Sequence, residues 1–382
     1  MTDELLRWRS EFPALEKSVY MVSHSLGAMP RRTYEYLREY ADLWVNKGIN
    51  AWGDWLPEVD RAAQRIGRII GAPDGTMVMA TNVSQIQALI ASCLEYTPAR
   101  NKVVYSNLNF PTVSYVWQAE RRRGADVVVV PSDDGIAVST ERMLEAIDER
   151  TLIVPISHVL FRSSAIKDVA AIVARAHAVG AMVLLDCYQS TGTVPFDVAK
   201  LNVDFACGGS VKWLCGGPGA AYLYVRPDRI RQFAPRTTGW FGHEKPFAFT
   251  MPEQKYADGI WRFMAGTPAV VALYQARAGV EVIAEIGVER IRAKSLRQTA
   301  RIFELCDAAG YRVNTPRKPE QRGGTVCFDF DQAERVAKTL NATGFLCDHR
   351  PQSGIRVSPH FYTTDEEVER FMAEVARLEK SA

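Results

Sequence analysis

The sequence predicts an α/β fold, with a large domain built on a mostly parallel sheet and a smaller α+β domain after it. Short β-branched runs alternate with helical stretches through the middle of the chain, as parallel strands joined by crossover helices do. The length of 382 residues exceeds what a single hydrophobic core usually serves. After about residue 269, a long helical stretch leads into two short strands and a terminal helix.

Each predicted strand of the large domain is a short apolar run. The runs read NKVVYS, ADVVVVP, TLIVPISHV, AMVLLD and VDFAC, and helical segments such as KDVAAIVARAHAVG separate them. The short strands of the small domain are GTVCFDF and SGIRVSP. We therefore predict a large domain over 31–268, a small domain over 269–382, and an N-terminal segment over 1–30 that packs with the small domain.

Composition excludes several classes of protein. Hydrophobic residues make up 47% of the chain, charged residues 24%, and the formal net charge is +2, which gives no electrostatic case for binding nucleic acid or a membrane surface. No window approaches ~20 uninterrupted apolar residues, and the N-terminus lacks the apolar segment of a signal peptide. The seven cysteines show no CxxC spacing, which argues against disulfides and a structural zinc. We expect a cytoplasmic protein without a metal, nucleic-acid or membrane partner.

An acid and an amine follow two of the predicted strands. Asp186 closes the run AMVLLD, and Lys212 follows a Gly-Gly-Ser step after VDFAC. Ligands of such sheets bind beyond the carboxyl ends of the strands. Pyridoxal 5'-phosphate (PLP) needs an amine for its Schiff base and a carboxylate that keeps its ring nitrogen protonated. We predict that Lys212 and Asp186 have these roles; a solvated surface lysine and a turn-forming aspartate are the alternatives.

Further side chains could complete a cofactor site. Gln189 is placed to donate to the phenolic oxygen of the cofactor, and Phe110 could stack on its ring or lie in the core. The hydroxyl of Ser210 is a candidate phosphate donor. Asn82 begins an apolar-periodic helix together with Thr81 and Ser84, where an anion site and an ordinary N-cap use the same geometry.

An amino-acid substrate also needs a partner for its carboxylate. Arg356 lies in the otherwise apolar run GIRVSP, where an unpaired charge would be costly. An arginine fork binding the substrate carboxylate and a structural ion pair are both consistent with this position.

With these residues assembled, the chain resembles the class V aminotransferase superfamily of fold-type I PLP enzymes, and within it the kynureninases. The motifs that carry the resemblance are VSHSLGAMP, NFPT at 109–112, SHVLFRSS at 157–164, GGPG after the lysine, GWFGH at 239–243, MAGTP at 264–268 and DHRPQSGIRVSP at 348–359. They extend over nearly the whole length. The resemblance implies a seven-stranded-type sheet in the large domain and a homodimer with its sites at the interface.

The resemblance also implies roles for individual residues. Asn82 and Val83 would form the phosphate-binding turn, and Phe110 would stack on the cofactor. Trp240 and Thr267 would approach the phosphate from a neighbouring subunit. The substrate would be bound by Arg356, with His24 and Ser25.

The chain departs from the usual kynureninase pattern at several positions. Val211 replaces the tyrosine that usually precedes the lysine, and Val113 replaces an aspartate after FPT. Leu160 and Phe161 stand where an asparagine and a tyrosine are usual. Gln189 stands where kynureninases usually have a histidine, and in this glutamine the chain resembles cysteine desulfurases.

The resulting functional hypothesis is a PLP-dependent enzyme that acts on an L-amino acid through an external aldimine and a quinonoid, with kynureninase-like cleavage at the β-carbon. An aminotransferase or a β-eliminating C–S lyase of the same superfamily is the alternative, and a non-catalytic PLP-binding protein is a further one. Desulfuration would need a mobile nucleophilic cysteine, whereas we expect Cys347 to be a buried structural thiol.

Overall fold

The computed structural model describes residues 3–249, 251 and 253–381. The outermost residues of the predicted domain ranges, 1–2 and 382, lie outside the described part. The strands in chain order are β1 (Val19–Tyr20), β2 (Met77–Ala80), β3 (Lys102–Ser106), β4 (Asp126–Val130), β5 (Thr151–Ser157), β6 (Met182–Asp186), β7 (Phe205–Gly209), β8 (Ala221–Val225), β9 (Arg312–Val313), β10 (Val326–Asp329), β11 (Phe345–Leu346), β12 (Asp348–Arg350) and β13 (Gly354–Val357).

The α-helices are α1 (Thr33–Lys47), α2 (Trp52–Ile70), α3 (Val83–Ser92), α4 (Pro111–Ala119), α5 (Thr140–Ala146), α6 (Val169–Ala178), α7 (Val270–Ile286), α8 (Val288–Ala309), α9 (Ala333–Ala342) and α10 (Asp365–Lys380). Short 3₁₀ turns connect several of them. None of the helices in the described ranges has both the length and the apolar character that a membrane span requires.

The central sheet confirms the predicted fold class. It has seven strands in the order β2-β8-β7-β6-β5-β3-β4, and all neighbours pair in parallel except β8, which is antiparallel to both β7 and β2. Every residue of β6, β7 and β8 is buried. Strands buried on both faces read as continuous apolar runs, which is why the sequence revealed them.

The strand register places the carboxyl ends of the central strands side by side. Ser157 at the end of β5 pairs with Asp186 at the end of β6, and Asp186 pairs with Cys207 on β7. Lys212 follows the last residue of β7 by three positions. The sheet therefore brings the predicted acid and amine to one edge.

A second, smaller sheet lies in the C-terminal part of the chain. Its order is β12-β13-β10-β9, all antiparallel; α8 and α9 pack on it, and α10 packs on these two helices. It has its own hydrophobic core, which includes Phe328, Ile355 and Phe371. Strand β1 pairs with β11, so part of the N-terminal segment contacts this region.

The long helical stretch predicted after residue 269 is two helices. It breaks at Gly287, whose φ of 86° belongs to the left-handed region that glycine tolerates. Helix α7 packs against α1 and α2, and its Leu273 and Ile283 belong to the core of the large sheet. Within α8, Val288 and Ile291 still belong to that core, and the residues from Ile302 onward belong to the second core. This packing favours a boundary within α8 over the predicted one at 269, and the division into domains stays a prediction.

Two glycines allow the turn that carries Lys212 to pack directly on other backbone. A Cβ atom on Gly27 would lie 2.1 Å from the carbonyl oxygen of Lys212, and a Cβ on Gly279 would lie 2.1 Å from that of Leu214. The N–H of Gly27 also donates to the carbonyl of Val211 over 2.8 Å. The N-terminal segment and α7 thus hold the turn from two sides.

We expect Gly279→Ala to destabilise the apoprotein by about 1–3 kcal/mol, because the new methyl group overlaps a carbonyl that has no room to move. Gly53→Ala is the matched control: this glycine also lies in a helix, and a Cβ there meets no heavy atom within 4 Å. The control should be neutral or stabilising by about 0.5–1 kcal/mol. Urea unfolding followed by circular dichroism measures both, and equal midpoints for the two variants would contradict the close packing.

Candidate active site

A cavity of about 220 Å³ opens at the edge of the sheet where β5 and β6 end. Its lining residues are Asn82, Val83, Ser84, Phe110, Thr112, Ser157, Val159, Phe161, Asp186, Tyr188, Gln189 and Lys212. The structure therefore brings together six of the residues that the sequence predicted for a cofactor, namely Asn82, Val83, Phe110, Asp186, Gln189 and Lys212.

The Lys212 amine lies in apolar surroundings. Its Nζ atom is 4.6 Å from the ring centroid of Tyr188 and 5.6 Å from that of Phe110. Burial lowers the pKa of Lys212 to about 8; the nearby Asp186 opposes this shift, and Arg356 adds to it. A substantial fraction of the amine is therefore neutral, and nucleophilic, near that pH.

The Asp186 carboxylate is buried and only partly paired. Its Oδ1 accepts the N–H of Tyr188 over 3.0 Å, and Oδ2 has no hydrogen-bond partner among the described residues. Burial raises the pKa of Asp186, whereas the Tyr188 N–H and the nearby Lys212 amine lower it. A buried carboxylate with an unused oxygen beside a cavity favours a cationic N–H ligand such as a pyridinium.

The Gln189 amide is held between two distant segments. Its Nε2 donates to the carbonyl of His24 over 3.1 Å, and its Oε1 accepts the indole N–H of Trp213 over 3.1 Å. One N–H of the amide remains for the cavity. This geometry supports the predicted donor to a phenolic oxygen.

The first turn of α3 provides donors suited to a phosphate. Asn82 caps the helix, its Oδ1 accepting the N–H of Gln85 over 2.9 Å. The hydroxyls of Ser84 and Thr112 lie 2.9 Å apart at the same place. Helix N–H groups with adjacent hydroxyls form an anion site, so the N-cap and the phosphate turn coexist here.

The Phe110 ring is exposed, not part of the core. It is 43% accessible although large and apolar, and it meets Phe161 edge-on with ring centroids 5.2 Å apart. An open aromatic face at a cavity suits a planar ring ligand. Together with the Lys212 amine, the Asp186 carboxylate and the donors at α3, it makes the cavity fit PLP.

Three predicted cofactor contacts do not line this cavity. Ser210 is buried and donates its hydroxyl to the carbonyl of Gly217 over 2.8 Å. Trp240 packs in an aromatic group with Phe241. Thr267 lines a different cavity of about 380 Å³, on the other side of the start of α3. Their contacts with a phosphate stay predictions.

Arg356 forms the predicted structural ion pair, and it keeps a free fork. Its Nε and Nη2 donate to Asp348 over 2.7 and 2.6 Å, and Nη1 donates to the carbonyl of Phe161 over 2.5 Å. A guanidinium has five N–H groups, so two remain, one on each terminal nitrogen. The ion pair is observed and leaves two N–H groups unused. Arg356 does not line the cavity, so its grip on a substrate carboxylate stays a prediction.

His24 lies behind this pair, and its ring nitrogens are both engaged. Nε2 meets Asp348 over 3.1 Å and Nδ1 meets the hydroxyl of Ser358 over 2.7 Å. Burial lowers the pKa of His24 to about 4, so the neutral ring donates to Asp348. Burial alone would raise the pKa of Asp348, but the bonds from His24 and Arg356 hold it well below its usual range. Neither His24 nor the half-buried Ser25 lines the cavity, so their substrate contacts stay predictions.

Sequence reasoning missed four cavity residues and one charge partner. Tyr188 and Ser157 stand at or just after strand ends, a signal that could have revealed them. Thr112 lies two residues after Phe110, and Val159 lies two residues after the end of β5. Asp348 was quoted only as part of a motif. Its pairing with Arg356 across β12 and β13 depends on strand register, which the sequence does not reveal.

Similar proteins are consistent with this site. A family model described as aminotransferase class-V matches residues 30–371. The chain is 30% identical over 370 residues to the uncharacterized aminotransferase YcbU of Bacillus subtilis (strain 168), covering 97% of each chain. It is 31% identical over 384 residues to a kynureninase of Bacillus anthracis, covering 96% of this chain and 89% of that one.

Solved structures share the fold. The apo cysteine desulfurase of Thermococcus onnurineus NA1 matches with a TM-score of 0.89 at 22% identity, covering 100% of this chain and 99% of that one. The cystine C–S lyase C-DES, in complex with cysteine persulfide, matches with a TM-score of 0.86 at 19% identity, covering 96% and 99%. A C-DES variant was solved with glycine covalently linked to the PLP cofactor.

We expect the rate at which apoprotein binds PLP covalently to rise with pH through about 8, because only the neutral Lys212 amine attacks the aldehyde. Absorbance of the bound cofactor, recorded between about pH 6 and about pH 11.5, gives the profile. Lys212→Arg, which keeps a charge but cannot form the bond, should show no such phase. A midpoint near the ordinary lysine value of 10.5 would contradict the proposed desolvation.

Proposed function

Because the chain belongs to the class V aminotransferase family, whose cofactor is PLP, we propose that it catalyses a kynureninase-like cleavage of an L-amino acid between its β- and γ-carbons. The family match confirms the predicted resemblance. The proposal rests above all on the buried Arg356, whose charge lowers the pKa of the Lys212 amine and whose guanidinium keeps two unused N–H groups. The cavity beside that amine has aromatic walls. The similarity to a kynureninase over most of both chains supports it.

When bound, PLP supplies an electron sink for the bonds at the substrate's α-carbon. Asp186 holds a proton on the pyridine nitrogen, since a buried carboxylate is stabilised by a cationic N–H. The neutral Lys212 amine accepts the proton from the α-carbon and can return it to another carbon. Gln189 donates to the phenolic oxygen, and the first turn of α3 holds the phosphate.

Residues of the small sheet bind the amino-acid substrate in this proposal. The two free N–H groups of Arg356 bind the α-carboxylate, and Asp348 keeps the guanidinium plane fixed. His24 holds Asp348 from behind, so it acts as a positioning residue.

The cavity walls favour an aromatic acyl side chain. Phe110, Phe161 and Val159 present apolar surface next to the reacting amine. In the proposed hydrolysis, water oxygen adds to a γ-carbonyl, the Cβ–Cγ bond breaks, and Cβ receives a proton. The products are alanine and a carboxylic acid.

Two other reactions use the same residues. Transamination would return the proton to the cofactor instead, and β-elimination would expel a group from Cβ. The similarity to YcbU supports the former. Desulfuration by a cysteine of the chain is less favoured, because no cysteine lines the cavity within the described residues. Cys347 is buried, and burial raises its pKa to about 12.

A homodimer would explain the residues that lie away from the cavity. Trp240 and Thr267 do not line the cavity of their own chain. We propose that they contribute to the site of a second copy.

The reaction is tested with holoenzyme and a panel of amino acids. We expect L-kynurenine or 3-hydroxykynurenine to release alanine, with Lys212→Ala inactive as the control. If neither kynurenine releases alanine, the proposal is wrong. Pyruvate and ammonia from β-substituted amino acids would then indicate β-elimination, and amino transfer to a 2-oxo acid would indicate transamination.

We expect Asp348→Asn to raise the KM for the amino acid about 10-fold or more, because a charged hydrogen bond that orients Arg356 is lost. PLP affinity should stay unchanged, since Asp348 lies outside the cavity lining. Asp329→Asn is the matched control: this aspartate pairs with the exposed Arg312 on the same sheet. An unchanged KM for Asp348→Asn would rule out the positioning role.

A further inference from the structure

Tyr188 presents a second aromatic ring to the Lys212 amine. Its centroid lies 4.6 Å from Nζ, and that of Phe110 lies 5.6 Å from the same atom. Both rings line the cavity, yet they are not paired with each other. They also come from separate elements, Phe110 preceding α4 and Tyr188 following β6. A planar group attached to the amine is therefore within stacking distance of two rings.

The position of Tyr188 is fixed at both ends. Its N–H donates to Asp186, which ties the backbone to the end of β6. Its hydroxyl lies over Gly209, where a Cβ atom would come within 2.6 Å of Oη. The ring thus extends across the end of β7, in space left free by a missing side chain.

The neighbouring glycine has a similar role for another tyrosine. A Cβ on Gly208 would lie 2.4 Å from the hydroxyl of Tyr222. Because successive residues of a strand face opposite sides of the sheet, the two tyrosines cover opposite faces of β7. The two glycines at the end of this strand are therefore a packing requirement.

The phenol of Tyr188 is neutral under ordinary conditions. Burial, with a contribution from Asp186, raises its pKa to about 12. A neutral ring can lie against a cofactor ring without adding charge beside Lys212.

We propose that Tyr188 forms the second wall of the cofactor slot, so that the PLP ring is held between Phe110 and Tyr188. Such a contact would restrain the bound ring independently of its bond to Lys212. This role of Tyr188 depends on the binding of PLP and not on the proposed reaction. It can therefore be tested before the substrate is known.

PLP affinity and the cofactor's visible circular dichroism, both measured without substrate, test the proposal. Tyr188→Ala should weaken PLP binding about 10-fold and reduce the dichroic signal, because one stacking face is lost. Tyr188→Phe should retain affinity and signal, because the ring remains. Tyr115→Ala, which removes a tyrosine that is 74% exposed on α4, is the matched control and should change neither.

Gly209→Ala tests the same contact with the tyrosine intact. Its methyl group must displace the Tyr188 hydroxyl, so affinity should fall, and the double variant with Tyr188→Ala should be no worse than Tyr188→Ala alone. If Tyr188→Ala does not fold, Gly209→Ala and Tyr188→Leu are measured in its place. The proposal would be wrong if Tyr188→Ala or Tyr188→Leu bound PLP with the affinity and circular dichroism of the unmodified protein. It would also be wrong if Tyr188→Phe lost as much affinity as Tyr188→Ala, because the hydroxyl would then be the important group.

Discussion

Direct backbone contact around the turn after β7 is the constraint on which the site depends. The carbonyls of Lys212 and Leu214 face Gly27 and Gly279, with no room for a side chain between them. One glycine belongs to the N-terminal segment and the other to α7, so elements far apart in sequence fix the same few atoms. A flexible lysine side chain can then be positioned accurately, because its backbone cannot shift.

Hydrogen bonds extend from this turn to both sheets. The indole of Trp213 donates to Gln189, which in turn donates to the carbonyl of His24. The carbonyl of Trp213 accepts the Nε2–H of His360, just beyond β13. Gln189, which we propose contacts the cofactor, and His24, which we propose positions Asp348 and Arg356, thus share one buried network. Buried polar groups are costly when unpaired, and in this network the Nδ1 atom of His360 has no hydrogen-bond partner among the described residues.

Parts of the site were predictable because their signals are local. Asp186 ends an apolar run, Asn82 precedes a periodic helix, and Lys212 lies among glycines with almost no other charge nearby. The parallel sheet followed from the same runs. Tyr188 and Asp348 were not predicted, because their roles depend on Gly209 and Arg356, which other strands bring to them. The break at Gly287 was missed because hydrophobic periodicity continues on both sides of it.

The arrangement also explains why the family determines the cofactor more closely than the substrate. Apart from Arg356, Asp348 and His24, the roles proposed within one chain belong to residues that line the cavity at the edge of the large sheet. At position 211 only the carbonyl is engaged by the turn, through the Gly27 N–H, so the side chain there can change without moving Lys212. By the resemblance to kynureninases, Val211 stands where a tyrosine is usual, while Tyr188, directly after β6, brings a phenol to the cavity. We therefore expect this change to alter the surface that a substrate meets while the backbone of Lys212 stays in place.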